Sequence, residues 1–151
     1  MIECIDHVNI VVQHLPAMTT FYRDVLGMRV VREVAIGGDW IAAVTGLEGV
    51  EADVVYFESG SGAGLELIHY RSPKGARPEG LDRANTKGIR HLAFRVDDLD
   101  AQVAGLKAAQ ADLLSAIQEV PTTQVEFAAK RKRIVYCRDP EGNLIELCAY
   151  V

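Results

Sequence analysis

Apolar and polar positions alternate along His7–Val12, where Val8, Ile10 and Val12 fall on one face and His7, Asn9 and Val11 on the other. A period of two is that of a half-buried strand. From Leu15 to Leu26 the period lengthens, and Met18, Tyr22, Val25 and Leu26 share a helical face, with Pro16 suited to the first turn. Gly27 is placed to end that helix. Short strands are expected at Arg29–Val34, Trp40–Val44, Val54–Phe57 and Leu65–Tyr70, punctuated by Gly37-Gly38 and by Ser59–Gly64. The polar passage from Ser72 to Gly88, with Pro73, Gly75, Pro78 and Gly80, has no clear period and reads as a connection. The plan then repeats. A strand is expected at His91–Val96, followed by a helix capped by Asp98 and running to about Ala109 or Gln110, with Leu99, Val103 and Leu106 on one face. Further strands are expected at Ile117–Val120, Arg133–Cys137 and Leu144–Tyr150, the last two joined by a tight turn at Asp139–Asn143. The order β-α-β-β-β thus occurs twice, an α+β pattern.

The repeat extends to chemistry. His7 and His91 each open an apolar strand, 84 residues apart, and Glu66 and Glu146 lie in matching closing strands, 80 residues apart. Strand parity places each of the four on the face that most of the aliphatic residues avoid. Two imidazoles and two carboxylates suit one borderline or hard divalent cation: Zn, Ni, Co, Mn or Fe(II). Such an ion would leave neighbouring positions for a substrate's adjacent oxygens, and a glutamate loosened from it could move a proton. Glu66 and Glu146 are therefore the candidate catalytic residues as well as ligands. Asn9, Tyr70 and Arg95 share the ligand faces and are the candidate substrate contacts, Arg95 for an anionic group. His69 has the opposite parity to Glu66 and should point away; His14 sits at a strand-to-helix corner.

Composition narrows the partners. A chain of 151 residues, 49% hydrophobic and 25% charged, is globular. A net charge of −5 argues against nucleic acid. The basic run Lys130–Arg133 reads as a solvated hairpin arm. No apolar run approaches a membrane span, and no secretory signal is visible. Cys4, Cys137 and Cys148 form no C-x-x-C pair, and a cytoplasmic setting is the expectation.

At Ile5-Asp6-His7-Val8, Phe21–Met28, Gly64–Leu67, Gly88–Leu99 and Asp139–Leu147 the chain resembles the vicinal oxygen chelate superfamily. That group holds glyoxalase I, methylmalonyl-CoA epimerase, extradiol dioxygenases and bleomycin- or fosfomycin-type resistance proteins. The resemblance covers nearly the whole chain. It implies a single domain over 1–151, made of module 1–72, connection 73–87 and module 88–151, with paired βαβββ modules forming an incomplete barrel around a metal site. It also implies a homodimer, in which modules closing one site can come from different chains. The His/Glu/His/Glu set is that of glyoxalase I, although Leu67–Pro73 lacks an Asn-Trp-Gly found there in many bacterial glyoxalases. The Gly88–Val96 passage looks closer to methylmalonyl-CoA epimerases, which usually carry Gln at the position of Glu66. Ring-cleaving dioxygenases use two His and one Glu, normally in a longer chain. The expected function is a divalent-metal-dependent lyase or isomerase transferring a proton beside the carbonyl of a small substrate. The alternatives are a ring-cleaving dioxygenase-like enzyme and a protein that sequesters an aromatic natural product or antibiotic, with Trp40, Tyr56, Phe57 or Tyr70 stacking on it.

Overall fold

The computed structural model describes every residue except Ser61 and Ala129; Ser61, within the expected Ser59–Gly64 turn, therefore lies outside the described residues. The chain divides into two compact units, Met1–Arg77 and Pro78–Val151. Their architecture is α+β, each unit an open mixed sheet with few helices.

The first unit contains β1 (His7–Val11), α1 (Leu15–Thr20), β2 (Arg29–Gly37), α2 (Asp39–Thr45), β3 (Glu51–Glu58) and β4 (Gly64–Ser72). The sheet order is β1-β4-β3-β2. β1 runs parallel to β4, with Asn9 opposite Glu66, and β3 runs antiparallel to β4, with Tyr56 opposite Glu66. First and last strands are thus neighbours, and Glu66 lies between two side chains of the same face.

On one face of this sheet Val55, Phe57, Leu65 and Leu67 are buried, along with Met18, Phe21 and Tyr22 of the helical segment. The α-helix passes at Phe21–Val25 into a wider π turn, and the consecutive Phe21 and Tyr22 are both buried there. Tyr22 stands 6.2 Å, centroid to centroid, from Phe57. Gly27, at φ +74, takes the left-handed conformation that ends the segment. On the other sheet face Ala52, Val54 and Ile68 form a second apolar cluster, with Val34, Ile36, Tyr56 and Tyr70 against it. Glu66 has the strand parity of that second face.

The second unit contains β5 (His91–Arg95), α3 (Leu99–Ala108), β6 (Asp112–Leu113), β7 (Gln118–Glu119), β8 (Lys132–Arg138) and β9 (Leu144–Tyr150). The order β5-β9-β8-β6 repeats that of the first sheet, and β7 also pairs with β8. Again the first strand is parallel to the last, with Ala93 opposite Glu146 and, across the antiparallel pair, Tyr136 opposite Glu146. The Asp98 side chain accepts a 2.9 Å hydrogen bond from the Ala101 N–H, capping α3. Leu99, Val103 and Leu106 are the buried stripe of that helix, at a spacing that keeps one face inward. Asp139 closes the β8–β9 turn by accepting from the N–H groups of Glu141 and Asn143, at 3.0 and 2.9 Å.

The segment Trp40–Val44, expected as a strand, is helical: it lies within α2, between Gly38 at φ +85 and Gly46 at φ +69. A run of five residues is too short for its period to decide between strand and helix, and flanking glycines favour a capped helical turn. In the second sheet β7 lies within the expected Ile117–Val120, and β6 is an additional short strand. Where the first unit has the nine-residue β2, the second has two short pieces, β6 and β7.

Candidate functional site

Within each unit the sheet brings one imidazole and one carboxylate together. In the first unit His7 Nε2 stands 3.5 Å from Glu66 Oε2. In the second, His91 Nε2 stands 3.5 Å from Glu146 Oε2. The parallel pairing of first and last strands makes both juxtapositions. His7 lies two residues before Asn9, which is opposite Glu66, and His91 two residues before Ala93, which is opposite Glu146.

The surroundings of the two pairs differ in detail. His7 Nδ1 is 2.7 Å from the Asp6 carboxylate, which turns Nε2 toward Glu66. At the position of Asp6 the second unit has Arg90, and His91 instead rests against the Tyr136 ring at 5.2 Å. Glu66 Oε2 accepts a 2.8 Å hydrogen bond from Asn9 Nδ2. Glu146 Oε1 receives Lys132 Nζ at 2.6 Å, and Glu146 Oε2 is left facing His91. The Glu146 side chain is 6% exposed and that of Lys132 17%. Burial would lower the Lys132 pKa, but the hydrogen bond and charge of Glu146 outweigh it and raise the ammonium above its ordinary value.

A tyrosine completes each pair. Burial, then hydrogen bonding and charge from Glu66, raise the Tyr56 phenol; burial, then the charge and hydrogen bonding of Glu146, raise Tyr136. Both phenols stay protonated and turned to donate toward a carboxylate. Sequence reasoning took Tyr56 only as a stacking ring and overlooked Tyr136. The signal was there, since each tyrosine precedes its glutamate by ten residues.

Of the other expected site residues, Asn9 reaches Glu66, and Tyr70 packs against the Ala52–Val54–Ile68 cluster. Arg95 lies over the Tyr150 ring, 5.5 Å from its centroid. His69 Nδ1 is 3.0 Å from the Val12 carbonyl, so it packs within the fold. The basic run is solvated only in its first half, where Lys130 and Arg131 are exposed. Lys132 is sunk on Glu146, Arg131 pairs with Glu119, and Arg133 pairs with Asp100. Among the described residues, no helix is long and apolar enough to cross a membrane.

The donor set suits a divalent ion. Two bonds of about 2.1 Å from one ion set N and O donors about 3.0 Å apart at a right angle and about 3.4 Å apart at the tetrahedral angle. The observed 3.5 Å in each pair is close to that range. Among the described residues, no group of three or more His, Cys, Asp or Glu side chains is gathered for a single ion. Each unit thus offers two donors.

The sequence model of the Glyoxalase/Bleomycin resistance protein/Dioxygenase superfamily matches residues 4–147. The chain belongs to this superfamily. Protein YwbC of Bacillus subtilis (strain 168) is 28% identical over 147 residues, covering 97% of both chains. Protein YaeR of Escherichia coli (strain K12) is 37% identical over 83 residues, a match spanning 55% of each chain. A solved glyoxalase family protein from Bacillus cereus superposes with a TM-score of 0.84 at 24% identity, covering 100% of this chain and 96% of that one. The trypanothione-dependent glyoxalase I of Leishmania major superposes with a TM-score of 0.66 at 20% identity, over 97% of this chain and 86% of that one. These likenesses carry the fold. The superfamily includes enzymes such as glyoxalase I, and its members commonly use divalent metals. In this glyoxalase-superfamily chain the candidate donors are His7 and Glu66 in the first unit and His91 and Glu146 in the second.

Proposed function

We propose that the protein is a divalent-metal-dependent lyase or isomerase, acting by proton transfer beside the carbonyl of a small substrate. The observation that supports this reading is the duplicated His/Glu pair, each with Nε2 and Oε2 turned toward each other at 3.5 Å. His7 and Glu66 supply two donors and His91 and Glu146 two more, the pairs being combined within one chain or between the two copies of a homodimer. Zn, Ni, Co, Mn or Fe(II) each accept this mixture of imidazole and carboxylate. The bound ion would polarise adjacent substrate oxygens and stabilise negative charge developing there.

The remaining work belongs to side chains of this protein. Glu66 is held by neutral donors, Asn9 and the Tyr56 phenol, and carries no charged partner from a lysine or arginine at its carboxylate among the described residues. It is placed to take a proton from the carbon beside a carbonyl and return it to the neighbouring atom, so the substrate is rearranged without gain or loss of atoms. Glu146, anchored by Lys132, keeps its place. Tyr70 and the apolar residues around Ile68 offer a hydrophobic wall on the Glu66 face.

The test combines metal analysis with proton exchange. Purified protein should contain close to one divalent ion per proposed site, and His7→Ala and Glu146→Ala should each empty it. In D2O the wild type should exchange the proton beside the carbonyl of an oxoaldehyde–thiol adduct or an epimerisable thioester, followed by NMR, and a chelator should stop it. Full metal content in both variants would overturn the reading. Stoichiometric binding of an aromatic compound, indifferent to chelator and without exchange, would instead favour sequestration.

A further inference from the structure

Lys132 stands where the first unit needs no charge. The matching residue there, 80 positions earlier, is Ala52, which is completely buried within the apolar cluster. Both residues lie opposite a tyrosine of the closing strand, Ala52 opposite Tyr70 and Lys132 opposite Tyr150. The same sheet is therefore built with a methyl group at that point or with an ammonium. A sunken ion pair adds little stability over apolar packing, because desolvating both charges offsets their attraction. The lysine calls for another explanation.

Its neighbours suggest one. Lys132 Nζ is 2.6 Å from Glu146 Oε1, 5.7 Å from the Phe127 ring centroid and 5.9 Å from that of Tyr150. An ammonium has three hydrogens to donate, and Glu146 is its one carboxylate partner among the described residues. Arg95 also lies over the Tyr150 ring, at 5.5 Å, and has no ion-pair partner among the described residues. Two cations thus share one aromatic ring in the neighbourhood of Glu146. Electrostatic complementarity at such a place asks for an anion.

We propose that Lys132 is a specificity-determining residue that grips a carboxylate of the substrate with its remaining N–H donors while still holding Glu146, with Arg95 as the second cation. The substrate class is a small carboxylate bearing oxygens on adjacent carbons. This rests on the metal-dependent reading above. Lys132 touches Glu146 only through Oε1, and Oε2 remains turned to His91.

Oxalate, a carboxylate with adjacent oxygens, is the probe. Its binding to the Co-loaded protein is measured by calorimetry for the wild type, Lys132→Met, Lys132→Arg and Arg95→Met, with cobalt content determined before and after. Lys132→Met should retain cobalt and bind oxalate about ten-fold more weakly or worse, the loss of a charge-assisted hydrogen bond. Lys132→Arg, which keeps the charge, should stay within about three-fold of the wild type, and Arg95→Met should fall between the two. Unchanged oxalate affinity in Lys132→Met would overturn the assignment. So would loss of cobalt or of the folded circular dichroism in that variant, since Lys132 would then serve only to hold Glu146. A wild type that binds no cobalt would sink the metal-dependent reading itself, an outcome distinct from either of these.

Discussion

Glu66 and Glu146 occupy equivalent points of two similar sheets, each beside a histidine and opposite a tyrosine. Their remaining partners are chemically different. Glu66 is held by an amide, Asn9, whose counterpart in the second unit is Ala93; Glu146 is held by an ammonium, Lys132, whose counterpart in the first unit is Ala52. One carboxylate is therefore restrained by neutral hydrogen bonds and the other by an opposite charge in a less exposed place. Duplication has kept the donor geometry and divided the electrostatics. Within the proposed chemistry the neutral environment suits a group that moves a proton, and the ionic one suits a group that stays put.

The comparison breaks most sharply under truncation. Leu67→Ala and Leu147→Ala remove equivalent, fully buried side chains, and each should cost about 2–5 kcal/mol in urea unfolding. Matching losses would show the two cores to be alike where the sites differ. Glu146→Ala leaves the Lys132 ammonium sunk and unpaired, and should cost up to about 3 kcal/mol. Glu66→Ala removes only neutral hydrogen bonds and should cost about 1 kcal/mol. Equal losses for the two would erase the electrostatic distinction.

The units should also part company in alkali. Phe57 of the first core is matched by Cys137 in the second, whose thiol burial pushes up from 9.0 to about 12. A pKa raised by folding gives stability that is fully present below the unfolded value and lost as pH climbs through the folded one. Wild-type stability should thus decline between pH 9 and about 12, by up to about 1.4 kcal/mol per pH unit from this group. Cys137→Val should flatten that decline when unfolding is followed across the window. Lys132, raised above 10.5, adds a loss of the same sign at the upper end. The smallest effect is expected at Asn9→Ala, about 1 kcal/mol or less, with no change in alkaline slope.

Much of this site could be read along the chain because repetition and strand parity act together. His7, Glu66, His91 and Glu146 declare themselves by matching offsets, and a period of two assigns their face. Trp40–Val44 was misread because five residues cannot distinguish two periods, although Asp39 and the bracketing Gly38 and Gly46 carried the helical signal. β7 falls within the expected strand Ile117–Val120, whereas β6, two residues long, is too short to leave a pattern. Lys132 was hidden inside Lys130–Arg133, where four adjacent charges look uniformly solvated. Only the alternation of Lys132, Ile134 and Tyr136 sets the sunken one apart from its neighbours.

In both units the imidazole arrives with the opening strand and the carboxylate with the closing one, joined by parallel pairing. A polypeptide stalled or cleaved anywhere between them holds half a pair. On the proposed metal-dependent reading, cation capture would report that synthesis has run to the last strand of a unit and that its ends have met, a record of completeness written into the order of the strands.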